Sequence, residues 1–256
     1  MKLIKFYLFI AFSIIALASC ASSAKLDTSN LEDLFKTAKE RFESKDYLES
    51  TKYFEIIKLQ FPASQYSDDA QFYLAEIEFE KERYIYASFN YSLLRKYYPN
   101  SDYAKLSLFK SALSLLKQSP KFDRDQEYTR KALSAMMEFQ SVYPKDSLTQ
   151  EANTYIGELR NKLAQREFAT GELYIKMEQP KAAMIYFEQI LSDYEDTKYF
   201  EPAFFIKIEL LVRLRKYEEA LGLCDLYTKT FPKGEYLNEV EKLKVSANAS
   251  ALKAKK

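Results

Sequence analysis

The chain has 256 residues, a formal charge of +1, 29% charged and 47% hydrophobic content, a composition that excludes both a disordered chain and a multi-span membrane protein. It has no His, no Trp, 4 Gly and 2 Cys, against 21 Tyr and 19 Phe. The missing imidazole argues against metal and acid–base chemistry, and the scarce glycine argues against phosphate-cradling loops and the left-handed turns of barrels and sandwiches, so an all-α scaffold is predicted.

Lys2 and Lys5 precede an apolar run over residues 6–18, the layout of a bacterial export signal and too short to span a bilayer. The run ends in Leu17-Ala18-Ser19-Cys20, which resembles a lipobox in which the Cys20 thiol receives the lipid. Residues 1–19 are then a removable signal and residues 20–30 a lipidated, small and polar tether. Two or three acyl chains anchor stably where one does not. Ala21, rather than Asp, follows the cysteine, which by analogy with enteric sorting favours the outer membrane. Loss of the signal removes two lysines and no acids, taking the charge from +1 to −1 and giving no support to nucleic-acid binding. Cys224 remains as the one mature thiol, without a His partner, and reads as core filling.

From residue 31 onward a repeat organises the chain. An aromatic residue followed by proline recurs at Phe61-Pro62, Tyr98-Pro99, Tyr143-Pro144 and Phe231-Pro232, with Tyr194-Glu195 as a degenerate copy. Twelve residues before each proline position stand Ser50, Ala87, Ala132, Ala183 and Ala220; eight before, Phe54, Tyr91, Met136, Phe187 and Cys224; five before, Ile57, Leu94, Phe139, Ile190 and Tyr227. These offsets share one helical face, small first and large afterwards, as in tetratricopeptide repeats. Two past each proline position come Ser64, Ser101, Asp146, Thr197 and Gly234, most of them suited to capping or turning into the next helix. Tyr47, Tyr84 and Tyr217 at the turn, with Tyr66, Tyr103, Tyr199 and Tyr236 at helix starts, are expected to bury their rings and leave their hydroxyls at the rim. The run from Tyr84 to Tyr91 is expected to be packed on both sides.

Successive proline positions lie 37, 45, 51 and 37 residues apart, against 34 in a standard repeat. The 45 holds an insertion around residues 118–125, and the 51 has no proline between Leu148 and Met177, which predicts one long helix. The predicted fold is an all-α solenoid of about five tetratricopeptide-like helix pairs: repeats one to three over 31–147, then the long connecting helix, repeats four and five and a C-terminal capping helix over 148–249, and a disordered tail at 250–256. On this register the first helices face inward with Phe35, Lys39 and Phe42, with Phe72, Glu76 and Phe79, and with Phe109, Leu113 and Leu116. They offer either an aromatic slot for a polypeptide, with at least two exposed aromatics, or packing between repeats. Acidic pairs such as Asp68-Asp69 read as helix-start charges. No nucleophile–base constellation, metal-ligand spacing or cofactor loop is present in the sequence, so no enzyme, metal or cofactor is predicted.

The order of these parts resembles the BamD family, the lipoprotein D component of the outer-membrane β-barrel assembly machine. The resemblance is carried by the lipobox, by Pro62-Ala-Ser-Gln-Tyr66, by residues 97–103, by the interrupted third repeat and by residues 163–176 and 182–197. Glu195, where that family usually has proline, is a departure. The resemblance implies a non-catalytic scaffold at the periplasmic face of the outer membrane. Its implied partners are a BamA-like assembly protein, met through that protein's periplasmic domains, nascent outer-membrane β-barrel proteins and other Bam lipoproteins. Phe35, Phe42, Phe72, Phe79 and Phe109 are the candidate client-peptide groove. The alternatives are another lipid-anchored tetratricopeptide adaptor, for cell-wall synthesis or polysaccharide export, and a helical carbohydrate-binding lipoprotein.

Overall fold

The fold was described from a computed structural model over residues 30–254. The predicted export signal, Cys20 and most of the predicted tether lie outside the described residues. The described chain is helical throughout, with no strand among the described residues. It forms two units, divided between Pro62 and Ala63.

Among the described residues the first unit holds one helix pair, α1 (Leu31–Glu43) and α2 (Tyr47–Gln60). Asn30 caps α1, its side-chain oxygen accepting from the backbone N–H groups of Glu32 and Asp33 at 3.1 and 3.4 Å. The second unit holds α3 (Ser67–Glu80), α4 (Tyr84–Tyr97), α5 (Ala104–Gln118), α6 (Glu127–Val142), α7 (Leu148–Lys176), α8 (Pro180–Asp193), α9 (Phe200–Arg213), α10 (Tyr217–Thr230) and α11 (Leu237–Ala254). Within this unit each helix packs on the next in chain order, and α9 also touches α11. The last helix runs past residue 249, so residues 250–254 are helical and not the start of a tail.

All fifteen side chains at the three repeat offsets, from Ser50, Phe54 and Ile57 to Ala220, Cys224 and Tyr227, are 0% exposed. The small residue lets the paired backbones cross closely. Ser50 illustrates this, its hydroxyl donating to the Ala38 carbonyl at 2.9 Å. Gly171 plays the same part against Phe187, where a Cβ would lie 2.7 Å from the ring. Burial pushes the Cys224 thiol up, which keeps it protonated and suits a packing role.

Four of the turns within the pairs are left-handed without glycine: Lys45, Glu82, Glu178 and Arg215 have φ of 62, 56, 59 and 59°. All four stand at one register of the repeat, and each ends its helix in a Schellman turn. In the second repeat Arg83 N–H donates to the Glu78 carbonyl at 2.8 Å and Glu82 N–H to that of Phe79 at 2.9 Å. These two bonds satisfy carbonyls that the helix end would otherwise orphan, which offsets the strain of a left-handed β-carbon. The serines and the acid after the prolines lie in the turns one or two residues ahead of the N-caps. Ser101 Oγ accepts from Tyr103 N–H at 3.1 Å, and Asp146 Oδ1 accepts from Leu148 N–H at 3.0 Å. The seven tyrosines predicted to pin the repeats are all half-buried. Among them, Tyr103 stacks on Phe72 at 4.1 Å and Tyr236 on Phe205 at 4.6 Å between ring centroids.

Helix α7 has 29 residues, about 43 Å at 1.5 Å per residue. Its first half joins the core of α5 and α6 through Ala152, Tyr155 and Ile156, and its second half joins that of α8 and α9 through Phe168, Tyr174 and Ile175. Midway, Arg160 clasps the turn after α8, holding the Asp196 carboxylate at 2.6–2.9 Å and the Asp193 carbonyl at 2.6 Å. Donation from Arg160 holds the Asp196 carboxyl below its usual range.

The contrast between two helical glycines tests the packing account. Gly171→Ala should lower stability by about 1–3 kcal/mol through overpacking against Phe187. Gly222→Ala, where a Cβ would meet nothing within 4 Å, should raise it by about 0.5–1 kcal/mol through helix propensity. Denaturant titrations followed by circular dichroism measure both; equal effects would contradict close crossing at Gly171.

Candidate functional site

The inward positions of repeats two and three lie on α3 and α5, and the structure gives them different tasks. Helix α3 is buried nearly all round, including Gln71 and Glu76 among its apolar residues. Phe72, at 6% exposure, packs with Tyr91 and Leu94 of α4, while Phe109, at 4%, meets Phe139 of α6 edge-on with centroids 5.3 Å apart. Phe72 and Phe109 are therefore core residues and not an open slot. Leu113 and Leu116 lie half-buried on the same core as Phe109. Phe79 is half-buried, edge-on to Tyr84 at 5.3 Å.

In the first unit, Phe35 and Phe42 are half-buried. Phe35 meets Phe54 edge-on at 6.1 Å with Lys39 Nζ 6.0 Å from its ring, and Phe42 tilts against Tyr47 at 5.9 Å. None of the five candidate groove phenylalanines is exposed, contrary to the expectation of at least two. The physical reason is that each pair needs large rings beside its small crossing residue, and these positions supply them.

What α3 and α5 assemble instead is a polar knot inside the aromatics. Glu76, 9% exposed, accepts from the Tyr91 hydroxyl and from Lys110 Nζ at 2.5 and 2.6 Å. Lys110 Nζ also lies 5.9 Å from the Phe72 ring centroid and 5.6 Å from that of Phe79, so one ammonium serves a carboxylate and two ring faces. Burial, then the Glu76 charge, drive the Tyr91 hydroxyl far above its usual range and keep it a donor. Burial and the Asp69 charge push Tyr103, stacked on Phe72, up to about 12. The repeat register places Glu76 and Tyr91 but gives no sign of Lys110, because its partner lies 34 residues away and no helical offset links them.

Exposed aromatics do occur, on α4. Ile85, Tyr86 and Phe89 are 48, 57 and 61% exposed, with the Arg83 guanidinium 4.7 Å over the Tyr86 ring. The run from Tyr84 to Tyr91 is thus packed on one side, through Ala87, Ser88 and Tyr91, and open on the other, which corrects the two-sided packing expected. The open side follows from helical geometry, since residues 85, 86 and 89 share a face that the buried positions leave free.

Removing Lys110 alone should cost about 3 kcal/mol, because it strands a mostly buried carboxylate. Adding Glu76→Gln to Lys110→Met should recover at least half of that loss, since the amide still accepts from Tyr91. A double-mutant cycle in denaturant reads the coupling, and additive losses would refute the pairing.

Comparison with known proteins bears on the whole helical array. A family model described as YfiO, outer membrane lipoprotein, matches residues 27–221. The outer membrane protein assembly factor BamD of Neisseria meningitidis serogroup B is 26% identical over 242 residues, covering 88% of this chain and 91% of that protein. The factor of the same name from Caulobacter vibrioides is 25% identical over 255 residues, covering 93% and 84%. Among solved structures, a thermophilic tetratricopeptide protein of Thermus thermophilus aligns with 87% of this chain and 100% of its own at 19% identity and a TM-score of 0.36. With a family model matched across most of both units, the chain belongs to the YfiO outer membrane lipoprotein family, whose relatives named here are BamD assembly factors.

Proposed function

We propose that this protein is a non-catalytic, lipid-anchored scaffold of the outer-membrane β-barrel assembly complex. In this reading it sits at the periplasmic face, held by lipid on Cys20, docks on the periplasmic domains of a BamA-like assembly protein and helps receive nascent barrel proteins. The observation that carries the reading is the match to an outer membrane lipoprotein family together with near full-length relatives that are assembly factors. Among the described residues no helix is long and apolar enough to cross a membrane. The side chains also favour scaffolding: the buried acid Glu76 is engaged by Lys110 and Tyr91. Helix arrays of this kind offer long surfaces to partner segments.

Affinity purification from detergent-solubilised outer membranes should recover a large β-barrel assembly protein with this chain. Recovery without one would overturn the assembly reading in favour of a different adaptor, and depletion should impair insertion of barrel proteins before it alters the cell wall. Separately, Cys20→Ala should move the protein from the membrane to the soluble periplasmic fraction. Unchanged membrane retention in cells depleted of the assembly protein would show that lipid is not the anchor.

A further inference from the structure

The insertion of the third repeat and the long helix leave a cleft of about 930 Å³ between them. One wall is the loop after α5, another is a single face of α7 that includes Gly157 and Lys162, and the third is the Lys198–Tyr199 edge before α9. The cleft is built rather than incidental. Buried Gln126 donates to the Lys121 and Arg124 carbonyls at 2.7 and 2.9 Å, and Arg166 donates to the Arg124 carbonyl, so the loop is held in shape. Asn161 donates to the Gly157 carbonyl at 2.8 Å and accepts from Lys198 N–H at 3.2 Å, which ties the third wall to the helix.

Its charge is unbalanced. Half-buried Lys162 has the Ser119 hydroxyl, 2.9 Å away, as its polar partner and no carboxylate within ion-pair distance among the described residues. Two other half-buried lysines are paired: Lys110 holds Glu76 at 2.5 Å and Lys207 holds Glu188 at 3.2 Å. Lys121 and Lys198 add positive charge at the rim, against Glu158 as the one acid in the lining. Burial lowers the Lys162 ammonium from its usual range, which Glu158 offsets in part. An incoming carboxylate would therefore gain a charge-assisted bond and relieve a desolvation cost.

The floor carries a second observation. A Cβ at Gly157 would meet nothing within 4 Å, so the fold gains no packing from a glycine that costs about 0.5–1 kcal/mol in mid-helix. Gly222 is equally open but lies on an exposed helix face. At Gly157 the absent side chain leaves space in the cleft, whose lining also includes Phe122 and Tyr199.

We propose that this cleft docks an extended acidic segment of a partner polypeptide, one carboxylate pairing with Lys162 and an adjacent apolar side chain lying between Phe122 and Tyr199. The volume falls within the range of sites that enclose small ligands, enough for a few residues. The Gln165 amide in the lining can both donate to and accept from a peptide backbone. No arginine lines the cleft, so the bidentate fork that best grips phosphate is missing, which favours a peptide over a phospholipid headgroup. The inference stands on the cleft alone and holds or fails independently of the assembly reading.

The test is fluorescence anisotropy with the full chain in detergent and a labelled ten-residue peptide alternating Glu with Leu and Tyr. Saturable, salt-sensitive binding is expected, weakened at least tenfold by Lys162→Gln and by Gly157→Trp, and retained in Lys162→Arg. Unfolding midpoints of the variants are compared with that of the native chain, and Gly157→Trp projects into open space, so folding and binding are read separately. Absence of binding by the native chain, or native-like binding by both folded variants, would overturn the proposal. So would Lys162-dependent binding of phosphatidylglycerol vesicles or inorganic phosphate without binding of the peptide.

Discussion

Close crossing of paired helices is the constraint on which the rest of this protein depends. A helix pair is held chiefly by the apolar area it removes from water, and that area is large only where one backbone can approach the other. Ser50, the alanines at 87, 132, 183 and 220, and Gly171 provide the approach, while Phe54, Tyr91, Met136, Phe187 and Cys224 fill the space one turn further on. The aromatic surplus of the composition is thus largely a packing device. It explains why Phe72 and Phe109 are drawn into the core: the stacked neighbour needs a ring at that height.

The same constraint shapes the polar chemistry. Where α3 is enclosed nearly all round, its one buried acid has to be neutralised from neighbouring helices, and Lys110 and Tyr91 do so. Where the third repeat is interrupted, the loop after α5 is tied to α7 at Ser119 and Arg124 and leaves a cleft in which Lys162 has no ion pair among the described residues. The interruption also removes the left-handed turn residue that the other four repeats share.

Much of the architecture was legible in the residues because it is local. A small residue followed by large ones at helical offsets, an aromatic-proline stop and a proline-free stretch from Leu148 to Met177 each depend on a few neighbouring positions, and the helices and burial follow them. The left-handed turns were not legible. They are occupied by Lys, Glu, Glu and Arg, and the Schellman bonds that make them tolerable are visible only once the helix ends are in place. Exposure differs along one aromatic run for a related reason: Tyr86 and Phe89 are aromatic like Tyr91, and their angle around α4 separates them.

By itself, then, the sequence determined the all-helical class, the repeat register, the long connecting helix and the small-to-large core positions, since each is set by spacing along one helix. Tertiary structure alone decided which inward rings are buried, which lysine meets Glu76 and where a positive cleft remains open. Those outcomes depend on residues dozens of positions apart meeting across helix pairs, as Lys110 and Glu76 or Lys162 and Ser119 do.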